Sequence, residues 1–154
     1  MKERMMGAYH YTECGLDNVF IEGMAEVHDH ASEETLEIQA IGLLHAAIAE
    51  GIVMLPSKMS GKELRFLRTE MGLTQEKLAD VLKITLLTVS RWEREESPIK
   101  DTAEMLIRLM AVEHLDLNVK LNVDTVSAKV TRAARTNPFR IDGSDPSHYQ
   151  LMAA

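Results

Sequence analysis

Between residues 60 and 112 the chain marks four helix starts in quick succession, and that spacing constrains its fold more than any other feature of the sequence. Ser60-Gly61-Lys62-Glu63 is a capping box, in which a serine and a glutamate three residues on satisfy each other's helix-start amides. The helix it opens presents Leu64, Leu67 and Met71 for burial and stops at Gly72. Thr74-Gln75-Glu76-Lys77 caps a second helix that buries Leu78, Ala79 and Leu82. Only Lys83-Ile84-Thr85 separates it from a third, which begins at Leu86 and turns Val89 and Trp92 inward. Ser97-Pro98 ends that unit before a fourth helix over 102–112. Helices this short are marginal alone, so the pattern predicts a bundle in which each is held by the others.

Composition removes other classes. Of 154 residues 45% are hydrophobic, enough for a core, and the apolar runs are broken by charge or glycine well before the ~18 residues that would span a bilayer. No apolar stretch follows Lys2 and Arg4, so a secretory leader is not expected and a cytoplasmic address is. The single cysteine, Cys14, cannot form an internal disulfide or a cysteine-rich zinc cluster. Gly-rich phosphate loops, Gly-x-Ser-x-Gly and His-Glu-x-x-His are absent, so no catalytic residue is assigned and no enzyme is expected.

The net charge of −7 is unevenly spread. Residues 1–57 set ten Asp/Glu against Lys2 and Arg4, whereas residues 58–100 set nine Lys/Arg against seven Asp/Glu. The basic middle is where an anionic partner belongs. The acidic front is open to two readings, a docking surface for a basic protein or a solvated face.

Outside the middle, Tyr9-His10-Tyr11-Thr12 and Asn18-Val19-Phe20-Ile21-Glu22 read as short strands. Ser32 is a good N-cap, Glu33 and Glu34 suit a first turn, and Leu36, Ala40, Leu43, Leu44, Ala47 and Ile48 recur at helical spacing up to Gly51, which predicts a helix from Ser32. Pro56 breaks it. Leu117-Asn118-Val119-Lys120-Leu121-Asn122-Val123 alternates strictly and predicts a strand. Beyond it lie Lys129, Arg132, Arg135 and Arg140, either an arm along phosphates or an exposed tail, and Asp142-Gly143-Ser144-Asp145-Pro146 reads as loop.

Two short helices joined by about three residues form a helix-turn-helix pattern. On that reading Gln75 and the amides around it aim at a phosphate. Val89 and Trp92 point inward, which leaves Leu86, Leu87, Thr88 and Arg91 for the major groove. In the groove the leucines could contact thymine methyls, and they have a second reading, burial against another protein.

Leu73-Thr74-Gln75-Glu76-Lys77-Leu78-Ala79 followed by Thr88-Val89-Ser90-Arg91-Trp92-Glu93 resembles the Xre (lambda repressor/Cro-like) helix-turn-helix family. The resemblance implies that Gln75 touches phosphate or base, that Thr85, Leu86, Leu87, Thr88 and Arg91 face the groove, and that Lys83, Arg94 and Lys100 touch the DNA backbone beside it. One departure is that Glu95 stands where the family usually has glycine after the Trp-Glu pair. The wider layout is similar to MqsA/YgiT-type antitoxin and regulator proteins, without their zinc-binding Cys-x-x-Cys pairs.

The resulting expectation is a mainly α chain. It has a small N-terminal α+β segment at 1–57 for dimerisation or partner binding, a lambda-repressor-like helix-turn-helix bundle at 58–114, and a C-terminal strand and basic, partly flexible tail at 115–154. Its expected partner is double-stranded DNA, bound at a palindromic operator by a homodimer acting as a repressor. The alternative is an antitoxin that neutralises a toxin protein and autoregulates its operon. No cofactor, metal or membrane is assigned. His10, Cys14, His28 and His30 are ligand-type residues in no standard spacing.

Overall fold

The computed structural model describes residues 8–24, 26–28, 34–36, 38–133 and 138–152. The chain divides into two units, one from the residues up to Ile48 together with those from Asn137 onward, the other from Ala49 up to 136. The helical unit is thus inserted within the sequence of the first.

The first unit is built on a four-stranded sheet ordered β1 (Ala8–His10), β2 (Val19–Glu22), β5 (Phe139–Asp142), β6 (Gln150–Leu151). The two strands read near the N-terminus are β1 and β2, antiparallel with His10 opposite Phe20. β2 alternates as a half-covered strand should: Val19 and Ile21 are buried while Phe20 and Glu22 are half-buried. Its other neighbour, β5, is parallel, with Ile21 opposite Ile141. This corrects the arm-or-tail reading at Arg140 and the loop reading at Asp142, both of which lie in β5, while 143–149 form loop and turn as 143–146 were expected to. Phe139 and Ile141 are buried, and exposed Arg140 reaches back to Glu22 with an Nε contact of 2.9 Å and a second through Nη2. A β-carbon on Gly143 would lie 2.4 Å from the Ile21 side chain, so the bend after β5 needs glycine. Hydrogen bonds from the Ser144 hydroxyl and amide brace the following turn and hold the Asp142 carboxyl below its ordinary value.

A second hairpin joins β3 (Glu26–His28) and β4 (Glu34–Leu36), with Glu26 opposite Leu36. The helix expected from Ser32 is therefore displaced. Glu34 and Leu36 belong to a strand, Ser32 and Glu33 lie outside the described residues, and Ala40 is not helical but takes a φ of 52°. Helix α1 (Ile41–Val53) starts after that left-handed residue and continues through Gly51, which is buried inside it. Within the first unit its Leu44, Ala47 and Ile48 face inward.

The second unit is the bundle, α2 (Gly61–Glu70), α3 (Gln75–Leu82), α4 (Leu86–Glu93), α5 (Asp101–His114) and α6 (Val123–Lys129). The caps are those the sequence marks. Ser60 Oγ accepts the Glu63 amide at 3.2 Å and Glu63 Oε1 accepts the Ser60 amide at 2.8 Å. Thr74 Oγ1 accepts the Lys77 amide at 3.0 Å and Thr85 Oγ1 the Thr88 amide at 3.2 Å, capping α3 and α4. Leu64, Leu67, Leu78, Val89 and Ile107 are fully buried, as is Val126 of α6. Met71 and Leu82, expected inside, are only half-buried; Met71 is the C-cap of α2 and Leu82 the last residue of α3.

The strand expected over 117–123 does not form. Its alternation survives as burial: Leu117 is buried and Val119 and Leu121 half-buried, while Asn118, Lys120 and Asn122 are exposed. Yet this segment pairs with no strand among the described residues. It ends where Asn122 Oδ1 accepts the Thr125 amide at 2.9 Å and opens α6. A strong cap decided against prolonging the run through Val123.

The bundle also contains a buried ion pair. Glu104 and Arg108 of α5 are both fully buried, 2.7 Å apart. Arg108 also donates to the carbonyls of Val53, Leu55 and Ser57 at 3.2, 2.8 and 2.5 Å, and Glu104 Oε2 accepts the Met59 amide at 2.8 Å. One guanidinium and one carboxylate thus fix the linker that delivers the chain from α1 to the cap of α2.

Candidate nucleic-acid interface

Helix α4 buries Val89 and Trp92, at 0% and 5% exposure. At 100° per residue this turns Leu87, Arg91 and Arg94 to the opposite side, with Leu86 and Ser90 beside them. The accessibilities agree: Leu86 and Leu87 are 50% and 51% exposed, and Arg91 and Arg94 are exposed. Exposed Lys83 stands before the helix and exposed Lys100 after it. The sequence-assigned residues of α4 and its flanks, Thr85 included, are therefore exposed except Thr88, which is half-buried, and none is spent in the core.

Several do structural work as well. Thr85 is the N-cap of α4, its Oγ1 accepting the Thr88 amide at 3.2 Å and lying 2.8 Å from Thr88 Oγ1. Lys83 is the C-cap of α3 at φ 60°, and the Ile84 amide closes the turn onto the Ala79 carbonyl. Arg94 lies 3.1 Å from Glu96 in an exposed pair and donates from Nε to the Ser90 carbonyl.

Gln75, the first residue of α3, donates from Nε2 to Glu93 Oε1 at 2.9 Å. The same carboxylate receives Arg68 in a two-pronged pair, Nε to Oε2 at 2.6 Å and Nη2 to Oε1 at 3.1 Å, while Arg68 Nη1 donates to the Leu73 carbonyl. Glu93 is thus the point at which α2, α3 and α4 are tied, and it sets the pose of Gln75. Neither Arg68 nor this use of Glu93 emerges from the sequence, because the partners stand 25 residues apart with no local pattern to join them.

Glu95 sits at φ 60° directly after α4, the left-handed geometry that favours glycine. Its carboxylate accepts the Gly61 amide at 2.9 Å, which places negative charge at the start of α2. Gly61 in turn has no room for a side chain, since a β-carbon there would lie 2.4 Å from the Trp92 carbonyl oxygen and 2.7 Å from that of Glu93. Gly61→Ala should lower stability by about 1–3 kcal/mol, as for other overpacked sites, because backbone atoms must part to admit the methyl. Thermal unfolding checks this, and an unchanged Tm would mean the two helices separate at no cost.

The ligand-type residues of the N-terminal segment are otherwise engaged. His10 Nε2 lies 2.8 Å from the Asp17 carbonyl oxygen and its ring stacks on Phe20 with centroids 4.6 Å apart. Cys14 Sγ points at the Tyr11 carbonyl. The described residues hold no group of three His, Cys, Asp or Glu able to bind a metal; His30 and the side chain of His28 lie outside them. No helix among the described residues is long and apolar enough to cross a membrane.

Comparison with known families gives one result that bears on this geometry. A family model described as helix-turn-helix matches residues 64–117, which span α2 from its fourth residue to just past the end of α5. No match was found among curated proteins or among solved structures.

Proposed function

We propose that this chain, in which residues 64–117 form an Xre-like (lambda repressor-like) DNA-binding helix-turn-helix domain, is a repressor that binds a palindromic operator as a homodimer. What carries the reading is the outward side of α4, where exposed Leu86, Leu87 and Arg91 lie among the exposed cations Lys83, Arg94 and Lys100. A helix so presented fits the major groove, with the start of α3 and Gln75 set against a phosphate. In this assignment Thr85, Leu86, Leu87, Thr88 and Arg91 face base edges. Gln75, Lys83, Arg94 and Lys100 meet the backbone. The dimer follows from reach: one such unit covers a few base pairs, and useful specificity needs two half-sites about 34 Å apart.

Selection of bound sequences from random duplexes is the direct test, with a palindrome expected and no enrichment as the outcome that rejects it. Two variants then separate the kinds of contact. Arg91→Ala should cost about 1–3 kcal/mol per half-site and relax preference at one base-pair position, with the salt slope little changed. Lys83→Ala should weaken all sequences alike and reduce the salt dependence by about one counterion per subunit. Alanine keeps the β-carbon at this left-handed position, so the backbone strain is the same in both proteins. Uniform weakening by Arg91→Ala, with specificity intact, would remove the base-reading role from that residue.

A further inference from the structure

Two large apolar side chains stand half-exposed on the first turn of α4, with exposed Lys83 before them and exposed Arg91 after them. Leu86 and Leu87 are 50% and 51% exposed, and Arg91 follows Leu87 by one turn on the outward side. Part of the polar capacity of the same turn is used within it. The Thr85 and Thr88 hydroxyls bond to each other at 2.8 Å, and Thr85 Oγ1 also accepts the Thr88 amide. The leading turn therefore offers a partner two large hydrocarbon side chains beside its threonines, with the guanidinium of Arg91 one turn on.

A duplex presents one apolar group on its major-groove edge, the 5-methyl of thymine. We infer that Leu86 and Leu87 read thymine methyl groups, so that each half-site carries thymine at the one or two positions facing this turn, next to the position read by Arg91. The inference rests on the DNA-binding reading above and adds the chemical identity of what the site selects. Charge decides the occupant. Lys83 and Arg91 are exposed beside the leucines, with Arg94 on the same side already paired with Glu96, and a protein surface covering the leucines would have to bury or neutralise Lys83 and Arg91, whereas the phosphates that border a major groove complement them.

The test uses the full chain and the operator that it selects. Each thymine is replaced singly by deoxyuridine, which keeps the base pair and removes only the methyl. In a second series cytosine replaces thymine at the same positions, with and without a 5-methyl group. At one or two positions per half-site, deoxyuridine should weaken binding roughly fourfold, the worth of one buried methyl-sized group, and 5-methylcytosine should bind better than cytosine by a similar factor. Leu86→Ala and Leu87→Ala should each lower affinity for the thymine operator and abolish the deoxyuridine penalty at one position. Both sites are half-exposed and alanine favours a helix, so these variants should keep the wild-type Tm.

If deoxyuridine is neutral at every position of an operator the protein binds tightly, methyl reading is overturned while DNA recognition stands. If no duplex is enriched, the DNA-binding reading itself fails. If Leu87→Ala changes the oligomeric state in sedimentation and leaves the deoxyuridine penalties in place, the leucines belong to a protein interface and the inference is overturned.

Discussion

Arg108→Ala should destabilise the helical unit by about 3–5 kcal/mol, the range for removing one member of a buried ion pair. In a protein of this length that corresponds to a fall in Tm of roughly 6–20 °C. Arg108 is fully buried and its guanidinium has no contact with water to fall back on. Its removal leaves the Glu104 carboxylate held by the Met59 amide and faced by the Lys58 ammonium at 3.4 Å, and it strips the carbonyls of Val53, Leu55 and Ser57 of these donors. Lysine is no substitute, since one ammonium cannot span a carboxylate and three carbonyls.

The informative control is the double variant Arg108→Met with Glu104→Leu. Where a buried pair serves only itself, replacing both members with hydrocarbon can be neutral or better. Here three backbone carbonyls depend on the same guanidinium, and an orphaned buried polar group costs about 1–3 kcal/mol. The double variant should therefore recover only part of the loss. Full recovery of wild-type Tm would show that the linker finds other donors and that Arg108 is not what fixes it.

This clamp also marks the limit of what the sequence discloses. The helices from 60 to 112 were legible because their signals are local. Ser60, Thr74 and Thr85 cap within three residues of themselves, and Val89 and Trp92 fall one turn apart. The outward residues of α4 followed from the same periodicity, since what α4 does not bury it must expose. Features that depend on distant partners were not legible. Arg108 serves carbonyls more than 50 residues away, and β5 finds its parallel neighbour β2 nearly at the other end of the chain. Two local patterns pointed to the wrong element. Alternation over 117–123 reports one covered face, which a segment can supply without a ladder. The helical spacing from Leu36 to Ile48 is sound from Ile41 onward, but its first residue pairs with Glu26 in a hairpin, and tertiary pairing overrides a good cap upstream.

Trp92→Ala should be comparably damaging, at about 3–5 kcal/mol for a large-to-small change in a core. The indole is 5% exposed on the inner side of α4, and the Trp92 carbonyl lies where a β-carbon on Gly61 would have to go, so α2 and α4 approach closely at this residue. Deleting the ring opens a cavity that their backbones cannot close without disturbing the α2 start and the Glu93 contacts one residue on. Any loss of DNA binding should then follow from loss of structure: affinity should return on cooling to temperatures at which the variant is folded, as judged by circular dichroism. Trp92→Phe, which keeps an aromatic ring in place, should lie much nearer the wild type in both respects. Arg91→Ala supplies the contrast, because its exposed side chain should leave Tm unchanged while altering base preference. A Trp92→Ala protein that melted with the wild type yet failed to bind its operator would place the indole's role at the DNA surface, against its burial.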